Sequence, residues 1–336
     1  MNSLGNIEVY DTVKRWLTKL RARNRSLDFN LCSTKRAALH WLKVYCKFLK
    51  TNPDTLMADR RTTLKSPEEL KRRKHEEFVD DFIIHLKNKS KAPNTISTAV
   101  GLVRSFYKSN YAELKEVTTI HIYKVRPFKV PMVDDIRKIC KIAPLSIKTW
   151  ICCQKDSGLA NIDLLLLTRN TLSSECGTIK TQLKKGTVPI HIEIRRQKTG
   201  ERTNSFFGPN AIDALNEFMN FRIKDPHIFQ MSVRTVQKTI KTLAIKARVA
   251  TKDMPVTPYC LRKFFNTTMK YEAKVPESVV ETWMGHSIGR VRSAYSVVGS
   301  SNLSVGMPIK KMAETYMEAY KYIDITEKRK QPRRDG

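Results

Sequence analysis

A proline-punctuated break at residues 117–131 divides the chain into two parts with different sequence patterns. β-Branched residues crowd positions 117–122, and Pro127 and Pro131 follow. Such a stretch is typical of a domain boundary, and 336 residues are ample for two domains. We predict a first domain at residues 1–124, a linker at 125–131, a second domain at 132–325 and a basic tail at 326–336.

The first part shows helical periodicity and no convincing strand. Amphipathic patterns begin near Ile7, after Ser33, after Ser66 and at Asn94. Together they predict a small all-α bundle of four helices. The first pattern also has a basic face, which suits either a phosphate contact or plain solvation.

The second part is mainly helical with one hairpin. Residues 178–207 are predicted to be strands, and residues 190–194 alternate between apolar and polar side chains. A turn at 197–201 places Lys198 at the hairpin tip. Helices are predicted at 133–142, 147–157, 161–167, 210–221, 233–247, 259–271, 277–284 and 309–322. The predicted fold class is therefore mainly α with a small antiparallel β-sheet.

Charge is the strongest global signal. Lys and Arg number 62 against 32 Asp and Glu, a net charge of +30. Such a surface attracts polyanions, and nucleic acid is the expected partner; a merely solvated basic surface or a ribosome-bound protein is the alternative. The candidate DNA-contacting residues are Lys14, Arg15, Lys19, Arg21, Lys91 and Lys263.

The seven cysteines form no CxxC pair and no spacing typical of metal ligands. Their odd number indicates reduced thiols. No apolar run approaches the length that spans a bilayer, and the N-terminus has no signal-like pattern. We therefore expect a soluble protein in the cytoplasm or host-cell interior, with no metal site.

The stretch from Thr257 to Tyr295 carries groups that suit chemistry on a phosphodiester. Cutting such a bond without metal needs a nucleophile, positive groups on the non-bridging oxygens and an acid for the leaving oxygen. Tyr295 is the candidate nucleophile, and Arg262 and His286 are candidate phosphate ligands. Lys198 is the candidate acid. Taken singly, each has an ordinary alternative as a surface, turn or core residue.

The joint order of several motifs resembles the tyrosine recombinase (integrase) family. These motifs are Ser157-Gly158-Leu159, Gln197-Lys198-Thr199-Gly200, Tyr259-x-x-Arg262, Met284-Gly285-His286-Ser287 and finally Tyr295. The resemblance covers most of the second domain, and the helical first domain is similar to the family's core-binding (SAM-like) module. It implies an α+β catalytic domain and a clamp around duplex DNA.

The resemblance also implies roles for individual residues. Tyr295 would form a 3′-phosphotyrosyl link, Lys198 would be the general acid, and Arg262 would be the second active-site arginine. His286 would support the phosphate, and Asp163 would brace the first arginine. No metal or other cofactor is implied. Two or four protomers would act on paired sites, joined through the C-terminal helix at 309–323, unless that helix packs on its own domain.

Two positions depart from the family pattern. Tyr259 stands where the family usually has histidine, a variant reminiscent of archaeal virus and plasmid integrases. Ala160 stands where the family's first arginine belongs, and alanine cannot contact a phosphate. Ala160 is then either an engineered replacement, which the otherwise complete site favours, or the mark of a natural, degenerate DNA-binding relative. We expect Ala160→Arg to increase covalent DNA cleavage strongly.

Two other functions remain open from the sequence. A non-catalytic DNA-binding protein would bind DNA equally well with Tyr295→Phe and would never cut it. A type IB topoisomerase-like enzyme would relax supercoiled DNA as a monomer and need no specific site.

Overall fold

The computed structural model describes residues 5–30, 32–123, 127–219, 226–286 and 307–326. The chain forms two compact units, Met1–Val125 and Arg126–Gly336. Helices predominate, and the described strands form two antiparallel sheets of two strands each. The predicted fold class is therefore confirmed. Within the described ranges no helix has both the length and the apolar character needed to cross a membrane.

The first unit contains five α-helices in its described part. They are α1 (Asp11–Arg23), α2 (Ser33–Phe48), α3 (Pro53–Leu64), α4 (Glu69–Asn88) and α5 (Pro93–Ser109), after a short 3₁₀ turn at Ile7–Val9. The prediction of four helices was wrong because it omitted α3. Asn52 caps α3 by accepting a hydrogen bond from the Thr55 amide at 2.9 Å, and Pro53 occupies its first turn. Few apolar residues of α3 are buried, so its periodicity is weak.

The core of the first unit is rich in aromatic side chains. Trp16, Tyr45, Phe82, Phe106 and Tyr107 are fully buried and meet edge to face. Edge-to-face pairs add to the free energy gained from burying the rings. This packing fixes the four longer helices around one core.

The second unit interleaves helices with short strands. Its elements are α6 (Val133–Ile142), α7 (Leu145–Ser157), α8 (Asn161–Leu165), β1 (Leu172–Ser173), β2 (Gly177–Thr178), α9 (Ile179–Lys184), β3 (Ile190–Arg195), β4 (Arg202–Phe207), α10 (Pro209–Met219), α11 (Val233–Lys246), α12 (Pro258–Thr267), α13 (Glu277–Trp283) and α14 (Ile309–Tyr320). A π-turn at Thr268–Glu272 continues α12.

The prediction of strands throughout 178–207 was partly wrong. Residues 179–184 form α9, which starts where the Thr178 hydroxyl accepts a hydrogen bond from the Thr181 amide at 3.1 Å. The remaining strands do form the expected hairpin. β3 pairs with β4 from Ile190 opposite Phe207 to Arg195 opposite Arg202. Lys198 lies exposed in the connecting turn.

The C-terminal helix α14 packs on its own unit. Met312 and Tyr316 are fully buried, and the Tyr316 hydroxyl donates to the Asp156 carbonyl oxygen at 3.0 Å. The Tyr320 hydroxyl accepts a hydrogen bond from the Asn210 amide at 2.8 Å. The apolar face proposed for joining protomers is therefore used inside the second unit.

Candidate active site

The glycine at the end of α7 places a carbonyl against Arg262. Gly158 has a φ of +61°, and a Cβ atom there would lie 2.4 Å from the Phe265 ring. Only glycine fits this left-handed conformation and close approach. Its carbonyl oxygen accepts a hydrogen bond from Arg262 Nη1. The Ser157-Gly158-Leu159 motif thus positions Arg262.

Arg262 is the central buried group of the site, with 8% of its surface exposed. It lies on α12, and its Nη2 donates to the Met284 carbonyl oxygen at 2.9 Å and to His286 Nε2 at 2.7 Å. Burial lowers the pKa of Arg262 to about 10, and the positive charge of Arg196 acts in the same direction. Arg262 therefore stays charged at neutral pH.

His286 lies between an arginine and a carboxylate. Its Nδ1–H donates to Glu281 Oε2, and its Nε2 accepts from Arg262. Burial and then the charge of Arg262 lower the pKa of His286, so the ring is neutral at pH 7. In this arrangement Nε2 is an acceptor. The hydrogen bond from His286 to a phosphate stays a prediction.

The position just after α13 and directly before His286 also requires glycine. Gly285 has a φ of +66°, and a Cβ atom there would lie 2.2 Å from Thr203 Oγ1 and 2.4 Å from Arg196 Cδ. The Met284-Gly285-His286 motif is therefore held against the hairpin at close range. This contact links the β3–β4 hairpin to the imidazole.

Asp163 ties the hairpin turn to α8. It is buried, and its carboxylate accepts hydrogen bonds from Arg196 Nε at 3.1 Å and from the Gln197 amide at 2.9 Å. Lys198 is the next residue and is exposed. The carboxylate expected to brace the first arginine therefore contacts Arg196, which the sequence reasoning did not select. The signal was Arg195-Arg196: strand alternation turns one of the two toward the interior.

The remaining predicted catalytic residues are Ala160, Tyr259 and Tyr295. Ala160 is at the start of α8, one turn before Asp163. Tyr259 is 53% exposed on the first turn of α12, one turn before Arg262. Tyr295 lies outside the described residues. The structure thus brings together Arg262, His286 and Asp163, and the nucleophile's position stays a prediction.

The candidate DNA-contacting side chains differ in their exposure and in the contacts that they make within the protein. Arg15, Arg21 and Lys91 are exposed, and Lys14 forms a surface ion pair with Asp11. Lys19 instead donates to the Ser109 carbonyl oxygen at 2.9 Å and lies 3.6 Å from the centre of the Tyr111 ring. Lys263 is half-buried near the Tyr259 ring. Among the residues described, no three His, Cys, Asp or Glu side chains form a group suited to a metal ion.

The sequence matches no protein-family model and no curated protein. Its structure is similar to solved recombinase structures. XerH site-specific recombinase bound to difH matches with a TM-score of 0.53 and 13% identity, over 89% of this chain and 94% of that one. The Tn1549 transposon integrase in complex with transposon right end DNA matches with a TM-score of 0.52 and 14% identity, over 91% and 98%.

A lambda integrase dimer bound to a COC′ core site matches with a TM-score of 0.50 and 14% identity, over 75% of this chain and 96% of that one. These matches extend across most of the chain. The fold is that of the tyrosine recombinases. The resemblance drawn from the sequence is confirmed at the level of fold.

Proposed function

We propose that this chain is a site-specific DNA integrase or recombinase that cuts and rejoins duplex DNA through a 3′-phosphotyrosyl intermediate. One observation carries the proposal. On a tyrosine recombinase fold, the motifs Tyr259-x-x-Arg262 and Gly285-His286 meet around a buried, charged guanidinium. A buried arginine hydrogen-bonded to carbonyls and a neutral imidazole suits an oxyanion that arrives with the substrate.

The proposed reaction needs no external oxidant, reductant or energy source. The Tyr295 phenol loses its proton to solvent as its oxygen attacks the scissile phosphorus, and the bond from phosphorus to the 5′ oxygen breaks. Lys198 gives a proton to that leaving oxygen, and Arg262 stabilises the charge on the non-bridging oxygens. The 5′ hydroxyl of another strand then attacks the phosphotyrosine, which returns the phenol and rejoins the DNA.

The proposed partners are double-stranded DNA and further copies of the chain, as a dimer or tetramer on paired sites inside the cell. The net charge of +30 supports DNA binding. Because α14 packs within its own unit, the proposal assigns the contact between protomers to other surfaces. Lys14, Arg15, Arg21 and Lys91 are the exposed candidates for DNA contact.

A trapped covalent adduct tests the proposal. A duplex is first selected from a random-sequence library by binding to the wild-type chain, and a nicked version then prevents religation. The wild type should form an adduct that resists denaturation, and Tyr295→Phe should form none. DNA binding without any adduct, even with Ala160→Arg, would indicate the non-catalytic alternative. Relaxation of unselected supercoiled DNA by a monomer would indicate the topoisomerase-like alternative.

A further inference from the structure

A second guanidinium, that of Arg196, lies buried beside Arg262. Arg196 directly follows β3 and has 7% of its surface exposed. Its Nη1 donates to the carbonyl oxygen of Gly285, and Arg262 Nη2 donates to that of Met284. The two arginines therefore hold consecutive carbonyl groups of the same short segment. Their closeness agrees with the effect of Arg196 on the pKa of Arg262.

The charge of this pair is incompletely balanced by its direct contacts. Asp163 accepts a hydrogen bond from Arg196, whereas the described partners of Arg262 are two carbonyl oxygens and a neutral imidazole. Buried charges in proteins are usually paired, so two guanidiniums with one contacting carboxylate suit a further anion. Arg196 Nη2 makes no hydrogen bond to any described residue, which leaves a donor for it.

A hydroxyl group beside the same glycine also lacks a partner. Thr203 Oγ1 is buried, and no described residue forms a hydrogen bond with it. It lies where a Cβ atom on Gly285 would meet it, next to Arg196 Cδ. Leaving a buried hydroxyl without a partner is unfavourable, so an acceptor near this point would be favoured.

The position of Arg196 relates directly to Ala160. Ala160 directly precedes the first turn of α8, and Asp163 lies in that turn. Arg196 reaches the same carboxylate from the end of β3, with 3.1 Å between Nε and Oδ2. The carboxylate that would brace an arginine from α8 thus braces one from the hairpin.

We propose that Arg196 replaces the arginine absent at position 160, and that Arg196 and Arg262 together bind the non-bridging oxygens of the scissile phosphate. This inference rests on the proposed function, and it assigns Arg196 as a catalytic residue of that reaction. Each guanidinium donates hydrogen bonds to an oxyanion, and neither gives up a proton. The site then has two arginines despite Ala160.

The first test measures oxyanion binding without DNA. Thermal unfolding of the full chain is recorded with inorganic phosphate and with chloride at equal ionic strength. Phosphate should raise the melting temperature of the wild type and of Arg195→Ala, an exposed neighbour that removes the same charge. Arg196→Ala and Arg262→Ala should lose that increase. An unchanged increase in Arg196→Ala would overturn the inference.

The second test uses the trapped adduct. Arg196→Ala should slow adduct formation by about 10²–10³-fold, the usual effect of losing one charged donor to an oxyanion, and Arg195→Ala should not. If Arg196→Ala fails to fold, Arg196→Lys replaces it. Lysine keeps the charge but not the two-pronged geometry, so a loss of rate is still expected.

Rescue separates a phosphate ligand from a purely structural residue. In the Arg196→Ala background, Ala160→Arg should recover roughly ten-fold or more of the lost rate, because the new guanidinium reaches the same phosphate. In the wild type, Ala160→Arg should give little gain, unlike the strong increase expected from the sequence alone. No recovery together with a strong gain in the wild type would overturn the inference.

The two proposals fail in different ways. A wild type that forms no Tyr295-dependent adduct defeats the proposed function, and the phosphate measurement still decides whether Arg196 and Arg262 form an oxyanion site. If Arg196→Ala folds and forms the adduct at the wild-type rate, the inference about Arg196 is wrong and the proposed function still stands.

Discussion

At the scale of single residues, Gly285 is a position that tolerates little change. A Cβ atom would overlap both Thr203 and Arg196, in addition to the strain of a φ of +66°. We predict that Gly285→Ala destabilises the second unit by about 1–3 kcal/mol, as overpacking typically does, and reduces adduct formation. Urea unfolding of the full chain measures the first effect.

Gly186 offers a matched control for this substitution. It has a φ of +65°, and a Cβ atom there would meet nothing within 4 Å. Gly186→Ala therefore carries the backbone strain without the overlap. Equal destabilisation by the two substitutions would show that contact with Thr203 and Arg196 is unimportant.

Lys198 is exposed on the hairpin turn, as a residue that approaches bound DNA should be. If it protonates the leaving 5′ oxygen, Lys198→Ala should slow adduct formation by about 10²–10⁴-fold on normal DNA. On a duplex with sulfur in place of that oxygen, the leaving group needs no proton, and the variant should approach the wild-type rate. The exposed Lys185→Ala serves as control. A defect of equal size on both substrates would contradict the assignment.

At the scale of elements, a series of hydrogen bonds between buried polar side chains links four helices of the first unit. His75 on α4 is fully buried, and its Nδ1 contacts the Tyr107 hydroxyl on α5 at 2.9 Å, while its Nε2 contacts Asp59 on α3 at 3.0 Å. The Tyr107 hydroxyl in turn meets that of Tyr45 on α2. Neutral imidazole satisfies this arrangement, with Nε2–H donating to the carboxylate and Nδ1 accepting.

This series of buried hydrogen bonds predicts how the stability of the first unit depends on pH. Burial lowers the pKa of His75 to about 4 from 6.5; Asp59 opposes this shift, and Arg60 and Lys74 support it. The unfolded chain binds the proton first, so stability is full above about pH 6.5 and falls as pH drops toward 4. The loss should reach about 3 kcal/mol.

Hydrogen exchange of amides in α2 and α5 measures this effect in the full chain. Protection should fall between pH 6.5 and 4 in the wild type and in the exposed His40→Gln, after correction for intrinsic exchange. His75→Gln should be less stable at neutral pH and should lose the dependence in that window. A wild-type curve that stays flat there would show that His75 is not held neutral.

Element prediction succeeded where the pattern was long and failed where it was short. The hairpin and the long helices of both units follow from apolar periodicity and capping residues. α3 and α9 were missed because each buries few apolar side chains, and their start signals at Asn52 and Thr178 are single polar residues. Arg196 was missed for another reason. Its role depends on contacts with Asp163 and Gly285, which are distant in sequence.

At the scale of the whole molecule, the charge of +30 predicts strongly salt-dependent DNA binding. About six phosphate contacts would cost roughly 10³-fold in affinity between 50 and 200 mM salt. Arg21→Ala or Lys91→Ala should each reduce the slope of log affinity against log salt by about one. Lys19→Ala should reduce it less, because Lys19 is engaged with Ser109 and Tyr111. Fluorescence anisotropy on a selected duplex measures the slopes, and equal effects at all three positions would contradict this ranking.

The central claim is that this chain forms a covalent bond to DNA through Tyr295. Tandem mass spectrometry of the nuclease- and protease-digested adduct from a nicked duplex tests it most directly. We predict a nucleotide joined by its 3′ phosphate to the phenol of Tyr295, and no modified peptide from Tyr295→Phe. A nucleotide on any other side chain, or DNA bound and cut without a covalent link, would contradict the account.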